Sequence, residues 1–331
     1  MKSELKTNEQ FNLEKHHKKK RKQPKQLKIM RELKLFRKNA PLFSLSLPAV
    51  IYTFIFSYIP LVFLIIAFKD FRYDKGLWGS EWIGFKNFEF FFNSETAFIV
   101  TRNTILYNLA FIILTTVIAV LLAVMMNEVR RKWLKVHQTI LFLPYFLSWV
   151  VVGYIVSAFL DHENGLINQL LLDYGLDPIR WYQEAKYWPF IIIIVHLWKS
   201  IGFSSLIYYA GIMAIDSSYY EAAKIDGASK WQMVKNITIP LIVPLVIILF
   251  IVDMGKVFRA DFGLFYFIPN DVSFLYNATD VIDTYVYRSL RIVGDLGMAT
   301  AVGLYQSVIG LIIVLTTNYI IKKINEDNAL W

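Results

Sequence analysis

Residues Ser218 to Pro244 read SYYEAAKIDGASKWQMVKNITIPLIVP, a polar, helix-forming stretch between two long apolar runs. Its fixed features are Glu221-Ala222-Ala223, then Gly227 after three residues, and Ile237-x-Ile239-Pro240 after nine more. This spacing predicts two short helices that are joined by a glycine turn and lead into an apolar helix.

The ends of these short helices can be predicted from local chemistry. Residues 216–218 can begin a helix, and Ser218-x-x-Glu221 matches the capping box, in which each side chain accepts a hydrogen bond from an exposed backbone N–H. Gly227 can end that helix by adopting a positive φ. A second short helix is then predicted over about residues 229–237.

The composition is that of a membrane protein. Of the 331 residues, 56% are hydrophobic and 18% are charged, whereas a soluble domain is about 25% charged; the mean hydropathy is +0.43. The absence of cysteine excludes disulfides, thiol nucleophiles and cysteine-bound metals. Residues 1–40 hold 14 Lys and Arg against 4 Asp and Glu. Beside a membrane span, this basic tail indicates anionic lipid rather than nucleic acid.

Six apolar runs approach the roughly 20 residues that a helix needs to cross a membrane. They are residues 41–68, 104–126, 139–160, 187–213, 238–252 and 297–321. The fifth run is short, and we expect it to continue irregularly towards Phe258. The chain is thus divided into a basic tail (1–40), a six-helix membrane domain (41–321) that contains the loop 214–240, and a short C-terminal tail (322–331).

The distribution of Lys and Arg predicts the orientation. If the N-terminal tail is cytoplasmic, the other inside segments hold 9 Lys and Arg in 46 residues, and the outside segments hold 11 in 105. Cytoplasmic loops are richer in Lys and Arg. Both termini and the loop 214–240 are therefore predicted to be cytoplasmic.

The spaced pattern of the loop resembles E-A-A-x3-G-x9-I-x-L-P, the signature of membrane subunits in binding-protein-dependent ABC importers, with Ile239 in place of the leucine. Other segments are similar to the sugar permeases of this class, of the maltose type, and above all to those for oligosaccharides or polysaccharide fragments. These segments are WGSEWIGFKNFEFFF, RNTILYNL, LPYFLSWVVVGYIV, DVIDTYVYRSL and the terminal Leu330-Trp331.

The resemblance implies an all-α, polytopic membrane protein of the type I importer kind, with six transmembrane helices and a cytoplasmic coupling helix. It implies a homologous second permease, an ABC ATPase dimer, an extracellular solute-binding protein and a sugar substrate as partners, in the cell membrane of a bacterium. This chain itself would bind no cofactor, since ATP and Mg²⁺ would be bound by the ATPase. The residues that would contact the ATPase are Glu221, Ala222, Ala223, Asp226, Gly227 and Ala228.

Charged residues at membrane depth are candidates for a transport pathway. A charge within a span costs about 3 kcal/mol on insertion scales, so it usually faces a cavity or a partner. An interfacial position, or an ion pair such as Asp253–Lys256, is the alternative interpretation. The residues are His196 and Lys199 in the fourth run, and Asp253, Lys256, Arg259 and Asp261 after the fifth.

Aromatic side chains with hydrogen-bonding neighbours are candidates for sugar binding, with lipid packing as the alternative. Tyr145 and Trp149 are four residues apart and would share one face of a helix. The full set is Tyr145, Trp149, Tyr154, Trp198, Tyr208, Tyr305 and Gln306.

Enzymatic motifs are missing from the sequence. There is no G-x-x-x-x-G-K-[ST] phosphate loop, no metal-spaced histidine pair and no nucleophile–base pair, so no catalytic or metal-binding residue is predicted. Two alternatives stay open: an importer permease for amino acids, peptides or phosphate, and an ion-coupled secondary transporter that uses Lys199, His196 and Asp253.

Overall fold

The computed structural model describes residues 39–324, and the chain divides into two compact units, residues 1–63 and 64–331. The basic tail, apart from its last two residues, lies outside the described residues, as do residues 325–331 with Leu330-Trp331.

The described residues of the first unit form one apolar helical stretch. Helix α1 (Ala40–Thr53) continues through a π-helical turn (Phe54–Tyr58) into a 3₁₀ segment (Ile59–Phe68), which extends across the unit boundary. Residues 43–68 are long and apolar enough to cross a membrane, in agreement with the first predicted span. A helix suits this environment because it satisfies its own backbone hydrogen bonds.

The second unit begins with a small folded loop. Strands β1 (Lys69–Asp70) and β2 (Glu81–Trp82) pair antiparallel, with Lys69 opposite Trp82, and the fold is otherwise helical over the described residues. Between and after the strands lie α2 (Gly76–Gly79) and α3 (Lys86–Asn93).

Helix α4 (Glu95–Glu128) is the longest element described. Ser94 caps it by accepting a hydrogen bond from Ala97 N at 3.1 Å. Its 34 residues exceed the predicted run 104–126, because hydropathy marks the part that lies in lipid, whereas the cap decides where the helix starts.

The third predicted span is not one continuous helix. Helix α5 (Arg131–Phe142) and a 3₁₀ turn (Leu143–Phe146) are followed by α6 (Trp149–Leu160), with a bend of 97° between them. Leu147 is extended, and Ser148 caps α6 through Val151 N. The break follows from two local features, a proline in the 3₁₀ turn and a serine that caps α6. A prediction based on hydrophobicity alone does not detect either of them.

The rest of the chain alternates long helices with short ones. They are α7 (Leu166–Asp173), α8 (Trp188–Met213), α9 (Ser217–Ile225), α10 (Lys230–Met233), α11 (Ile239–Met254), α12 (Phe262–Phe267), α13 (Tyr276–Thr279), α14 (Ile282–Arg288) and α15 (Leu296–Ile324). Short 3₁₀ turns are Trp181–Gln183, Ala185–Tyr187 and Ser273–Leu275, and π-helical turns are Val234–Thr238 and Ser289–Val293. As predicted, irregular backbone follows the fifth span, since α11 ends at Met254 and turns continue to Phe258.

Helices α4, α8 and α11 pack closely. Ala119 and Ala123 of α4 are buried against Tyr208 and Ile212 of α8, and Ile242 of α11 joins them. Small residues at such contacts let membrane helices approach one another. Many large apolar side chains on the long helices remain exposed, as expected of surfaces that face lipid or another membrane subunit.

Candidate functional site

A cavity of about 680 Å³ lies between α4, α8, α11 and the irregular segment after α11. Its lining mixes apolar side chains with hydroxyl, amide and charged groups. The lining residues are Asn108, Phe111, Ile112, Thr115, Thr116, His196, Ser200, Phe203, Ser204, Ile207, Tyr208, Leu249, Val252, Asp253, Lys256, Arg259, Ala260 and Asp261.

One face of α4 fixes the irregular segments. Asn108 Nδ2 donates to the carbonyl oxygens of Val257 and Arg259 at 2.9 and 3.1 Å. Nearer the start of α4, Tyr107 donates to Ala278 O at 2.7 Å, and Asn103 Nδ2 donates to Asp280 O at 2.9 Å. Non-helical backbone is tolerated at membrane depth only where such groups satisfy it. Asn108 therefore holds the segment that lines the cavity, and Tyr107 and Asn103 hold residues 278–280.

Three of the charged residues of the cavity take part in specific contacts. Lys256 and Asp253 form an ion pair at 3.3 Å. This is the internal pair considered as an alternative from the sequence. Asp261 Oδ2 accepts from Trp149 Nε1 at 2.8 Å, and its Oδ1 caps α12 through Gly263 N at 2.9 Å.

Lys199 is only 8% exposed and connects α8 to the break before α6. Its Nζ donates to Tyr145 O at 2.8 Å and lies 5.4 and 5.0 Å from the ring centres of Tyr145 and Trp149. The prediction that these two aromatics share a helix face is wrong, because the helix breaks between them. Both rings, of Tyr145 and Trp149, nevertheless lie next to the same ammonium group of Lys199.

Two polar atoms of the cavity-lining residues have no partner. Thr115 Oγ1 and His196 Nδ1 are buried, and neither has a hydrogen-bond partner within residues 39–324. The His196 ring stacks on Phe111 with centroids 3.8 Å apart. The sequence marked His196 by its depth in the span, whereas nothing in the sequence distinguished Thr115 from other hydroxyl residues in helices.

The other predicted pathway residues are spread over several environments. Tyr208, Asp253, Lys256 and Arg259 line the cavity. Tyr154 and Trp198 are exposed away from its lining, at 75% and 44%.

Span six contributes contacts behind the cavity wall. Tyr305 packs against Phe91, Phe92 and Phe258, and buried Gln306 donates to Phe258 O at 2.6 Å. The sequence analysis did not predict Asn108 as part of the lining. An asparagine within a span does not indicate which distant backbone carbonyl oxygens its side chain will bond to.

The loop between α8 and α11 ends its first helix with a complete glycine motif. Gly227 has φ +78°, as predicted, and its N–H donates to Lys224 O at 3.1 Å. Ala228 N donates to Ala223 O at 2.9 Å. Together these bonds form the Schellman arrangement. They leave Glu221, Ala222 and Asp226 exposed on the loop.

The predicted capping box at Ser218 and Glu221 is wrong. Asp216 caps α9 by accepting from Ser218 N at 2.9 Å, and this bond holds the pKa of Asp216 below its usual range. The capping box occurs instead at the second helix, where Ser229 and Gln232 satisfy each other's backbone N–H groups. A carboxylate that can reach the first free N–H of α9 takes the capping position before Ser218 does.

Two side-chain contacts tie this loop to the long helices. Tyr220 of α9 is hydrogen-bonded through its hydroxyl to Thr238 Oγ1 at 2.9 Å, immediately before α11. Lys230 pairs with Glu128, the last residue of α4. The loop is therefore attached directly to two of the helices that surround the cavity.

Among the described residues no group of three or more His, Cys, Asp or Glu side chains could hold a metal ion. Five helices are long and apolar enough to span a membrane, and the bent pair of α5 and α6 could supply a sixth span. Long apolar helices around a polar cavity are typical of membrane transport proteins.

This chain belongs to the family of inner membrane components of binding-protein-dependent transport systems, whose family model matches residues 115–326. It is 33% identical over 287 residues to the polygalacturonan/rhamnogalacturonan transport system permease protein YteP of Bacillus subtilis, covering 86% of this chain and 89% of that protein. It is 25% identical to the arabinooligosaccharides transport system permease protein AraP of the same organism, covering 89% and 91%.

A solved structure is similar over nearly its full length. The match is to a crystal structure of a bacterial ABC transporter involved in the import of the acidic polysaccharide alginate, with a TM-score of 0.80 and 34% identity over 89% of this chain and 99% of that one. The chain is thus an all-α membrane permease subunit with bacterial relatives, and not an enzyme.

Proposed function

We propose that this permease subunit forms, with a homologous second permease, the membrane pathway for an oligosaccharide or polysaccharide fragment. The observation that carries the proposal is the cavity between α4, α8 and α11, where hydroxyl, amide and charged groups lie among apolar helices. Sugars require such hydrogen-bonding groups together with aromatic faces. Trp149 bonds to Asp261 of the lining, and Lys199 lies over the rings of both Trp149 and Tyr145. Relatives named for saccharide transport support this substrate class over amino acids, peptides or phosphate.

We further propose that the loop 214–240 is a cytoplasmic coupling element, with both termini on the same side of the membrane. Glu221, Ala222 and Asp226 are exposed as a docking surface requires, and the Schellman turn makes the loop compact. An ABC ATPase dimer would dock there and bind ATP and Mg²⁺. The bias of Lys and Arg towards the inside segments supports this orientation.

In the proposed cycle, closure of the ATPase dimer moves the coupling loop, and α4 and α11 follow through Lys230 and Tyr220. The cavity then opens outwards, and an extracellular binding protein delivers its saccharide. The neighbouring alginate transporter has been solved in complex with a periplasmic protein that holds an alginate pentasaccharide, which supports a binding protein as partner.

Co-purification and uptake test this function. The affinity-tagged chain should be isolated from its own cells with a second permease and an ATPase, and deleting its gene should abolish ATP-dependent uptake of a labelled oligosaccharide. Uptake should return when the gene is restored. A tagged chain that purifies alone and transports when energised by an ion gradient would instead support a secondary transporter.

A further inference from the structure

Four charged residues line the cavity, and three of them have a partner. Lys256 and Asp253 pair with each other, and Asp261 accepts hydrogen bonds from Trp149 and from the start of α12. The guanidinium of Arg259 is exposed and forms no hydrogen bond or salt bridge with any residue between 39 and 324. Arg259 is therefore the one charged side chain of this lining that has no hydrogen-bond or ion-pair partner among the described residues.

Asp283 is the carboxyl group that interacts electrostatically with Arg259, and it already accepts two hydrogen bonds from other groups. Asp283 Oδ2 accepts from Ala260 N at 2.8 Å and from Gln306 Nε2 at 3.3 Å. Burial raises the pKa of Asp283 above its usual range. Asp283 thus fixes the backbone beside Arg259 without pairing with its side chain.

The backbone on both sides of Arg259 is held in place. Asn108 Nδ2 bonds to Val257 O and Arg259 O, and Ala260 N donates to Asp283. A side chain that projects from a fixed backbone loses less conformational freedom when it binds a ligand. The guanidinium of Arg259 is consequently a preorganised anion-binding group in the cavity.

We propose that Arg259 binds a carboxylate of the transported saccharide, so that the substrates are acidic oligosaccharides that contain uronic acid units. A guanidinium matches a carboxylate through two parallel hydrogen bonds. The inference rests on the proposed transport of saccharides and adds the charge of the substrate and the residue that recognises it.

The test uses the whole complex, with binding protein, both permeases and ATPase, reconstituted in vesicles. Two probes are compared: short oligogalacturonides, and the same chains after their carboxyl groups are reduced to alcohols. Wild type should import the acidic probe. Arg259→Gln should lower its uptake about tenfold or more and leave uptake of the reduced probe unchanged, while Arg259→Lys should retain part of the acidic uptake.

Controls separate this effect from other causes. Arg72→Gln removes the same charge from an exposed side chain that is paired with Asp74, far along the chain from the cavity, and should import the acidic probe as wild type does. Taking the ratio of variant to wild type for each probe cancels the preference of the binding protein.

The inference would be overturned by equal loss of both probes in Arg259→Gln or by wild-type import of the reduced probe as fast as the acidic one. Failure of Arg259→Gln to assemble would also overturn it, because Arg259 would then be assigned to a subunit contact. Import of the reduced probe alone would contradict this inference but would remain consistent with the proposed function. Import of neither probe by wild type would overturn the proposed saccharide transport, and this inference with it.

Discussion

At the scale of single residues, Gly202 is where α8 meets the break between α5 and α6. A methyl group at this position would lie 1.8 Å from the carbonyl oxygen of Leu141 and 2.4 Å from its carbon. These are backbone atoms, so no side-chain rotation can relieve the contact. The absence of a side chain at Gly202 therefore decides how closely α8 approaches the bent segment.

Gly202→Ala should destabilise the protein by about 1–3 kcal/mol, the usual cost of overpacking. Gly303→Ala is the matched control, since a methyl group at Gly303 of α15 meets nothing within 4 Å; it should be neutral or stabilising by about 0.4–1 kcal/mol. Thermal unfolding midpoints of the purified proteins in detergent measure both. A Gly202→Ala protein as stable as wild type would contradict the close approach of α8 to Leu141.

At the scale of elements, the loop 214–240 and the long helices are joined by few polar contacts. The hydroxyl of Tyr220 bonds to Thr238, which is only 1% exposed and immediately precedes α11. We propose that this bond transmits a movement of α9 to α11 across the π-helical turn Val234–Thr238.

Tyr220→Phe removes this hydrogen bond and keeps the ring. We expect transport per ATP hydrolysed to fall about twofold to tenfold, the equivalent of one hydrogen bond, while the ATPase still assembles with the permeases. Tyr219→Phe is the control, because its ring is exposed on the same helix. ATP hydrolysis and uptake are measured together in vesicles. If the two variants have the same ratio of uptake to hydrolysis, Tyr220 does not transmit the movement.

At the scale of the whole second unit, two groups of loops lie at opposite ends of α4. Lys230 contacts Glu128 at one end, and Asn103 contacts residues 277 and 280 near the other. The 25 residue-to-residue steps of helix from Asn103 to Glu128 rise about 38 Å, which exceeds the roughly 30 Å hydrocarbon core of a bilayer. The loop 214–240 and the segment 276–288 can therefore lie on opposite sides of a membrane.

Single cysteines in this cysteine-free chain test that arrangement. Lys224→Cys, on the loop, should react with an impermeant thiol reagent only in inverted vesicles stripped of the ATPase. Tyr174→Cys, at a side chain that is 83% exposed, should react only in right-side-out vesicles. Labelling of both cysteines from the same side would reverse the predicted topology and remove the basis for a cytoplasmic coupling loop.

The sequence by itself determined the membrane class, five of the spans as single helices, the turn at Gly227 and the family pattern around it. These features depend on hydropathy and on backbone preferences within a few residues, so a linear sequence contains them. The sequence also contains the residues that break the third predicted span, Pro144 and Ser148, which lie at its 97° bend. The prediction did not use them, because it followed the length of the apolar run alone.

Only the tertiary structure decided which polar groups meet. Trp149 bonds to Asp261 across 112 positions of sequence, and Lys199 reaches the carbonyl of Tyr145 across 54. Within residues 39–324, the same packing leaves the guanidinium of Arg259 without a bonded partner, while Lys256, three residues earlier, pairs with Asp253. Local preferences act over about one helical turn, whereas these contacts are fixed by how α4, α8 and α11 pack, because helix packing sets the distances between residues far apart in the chain.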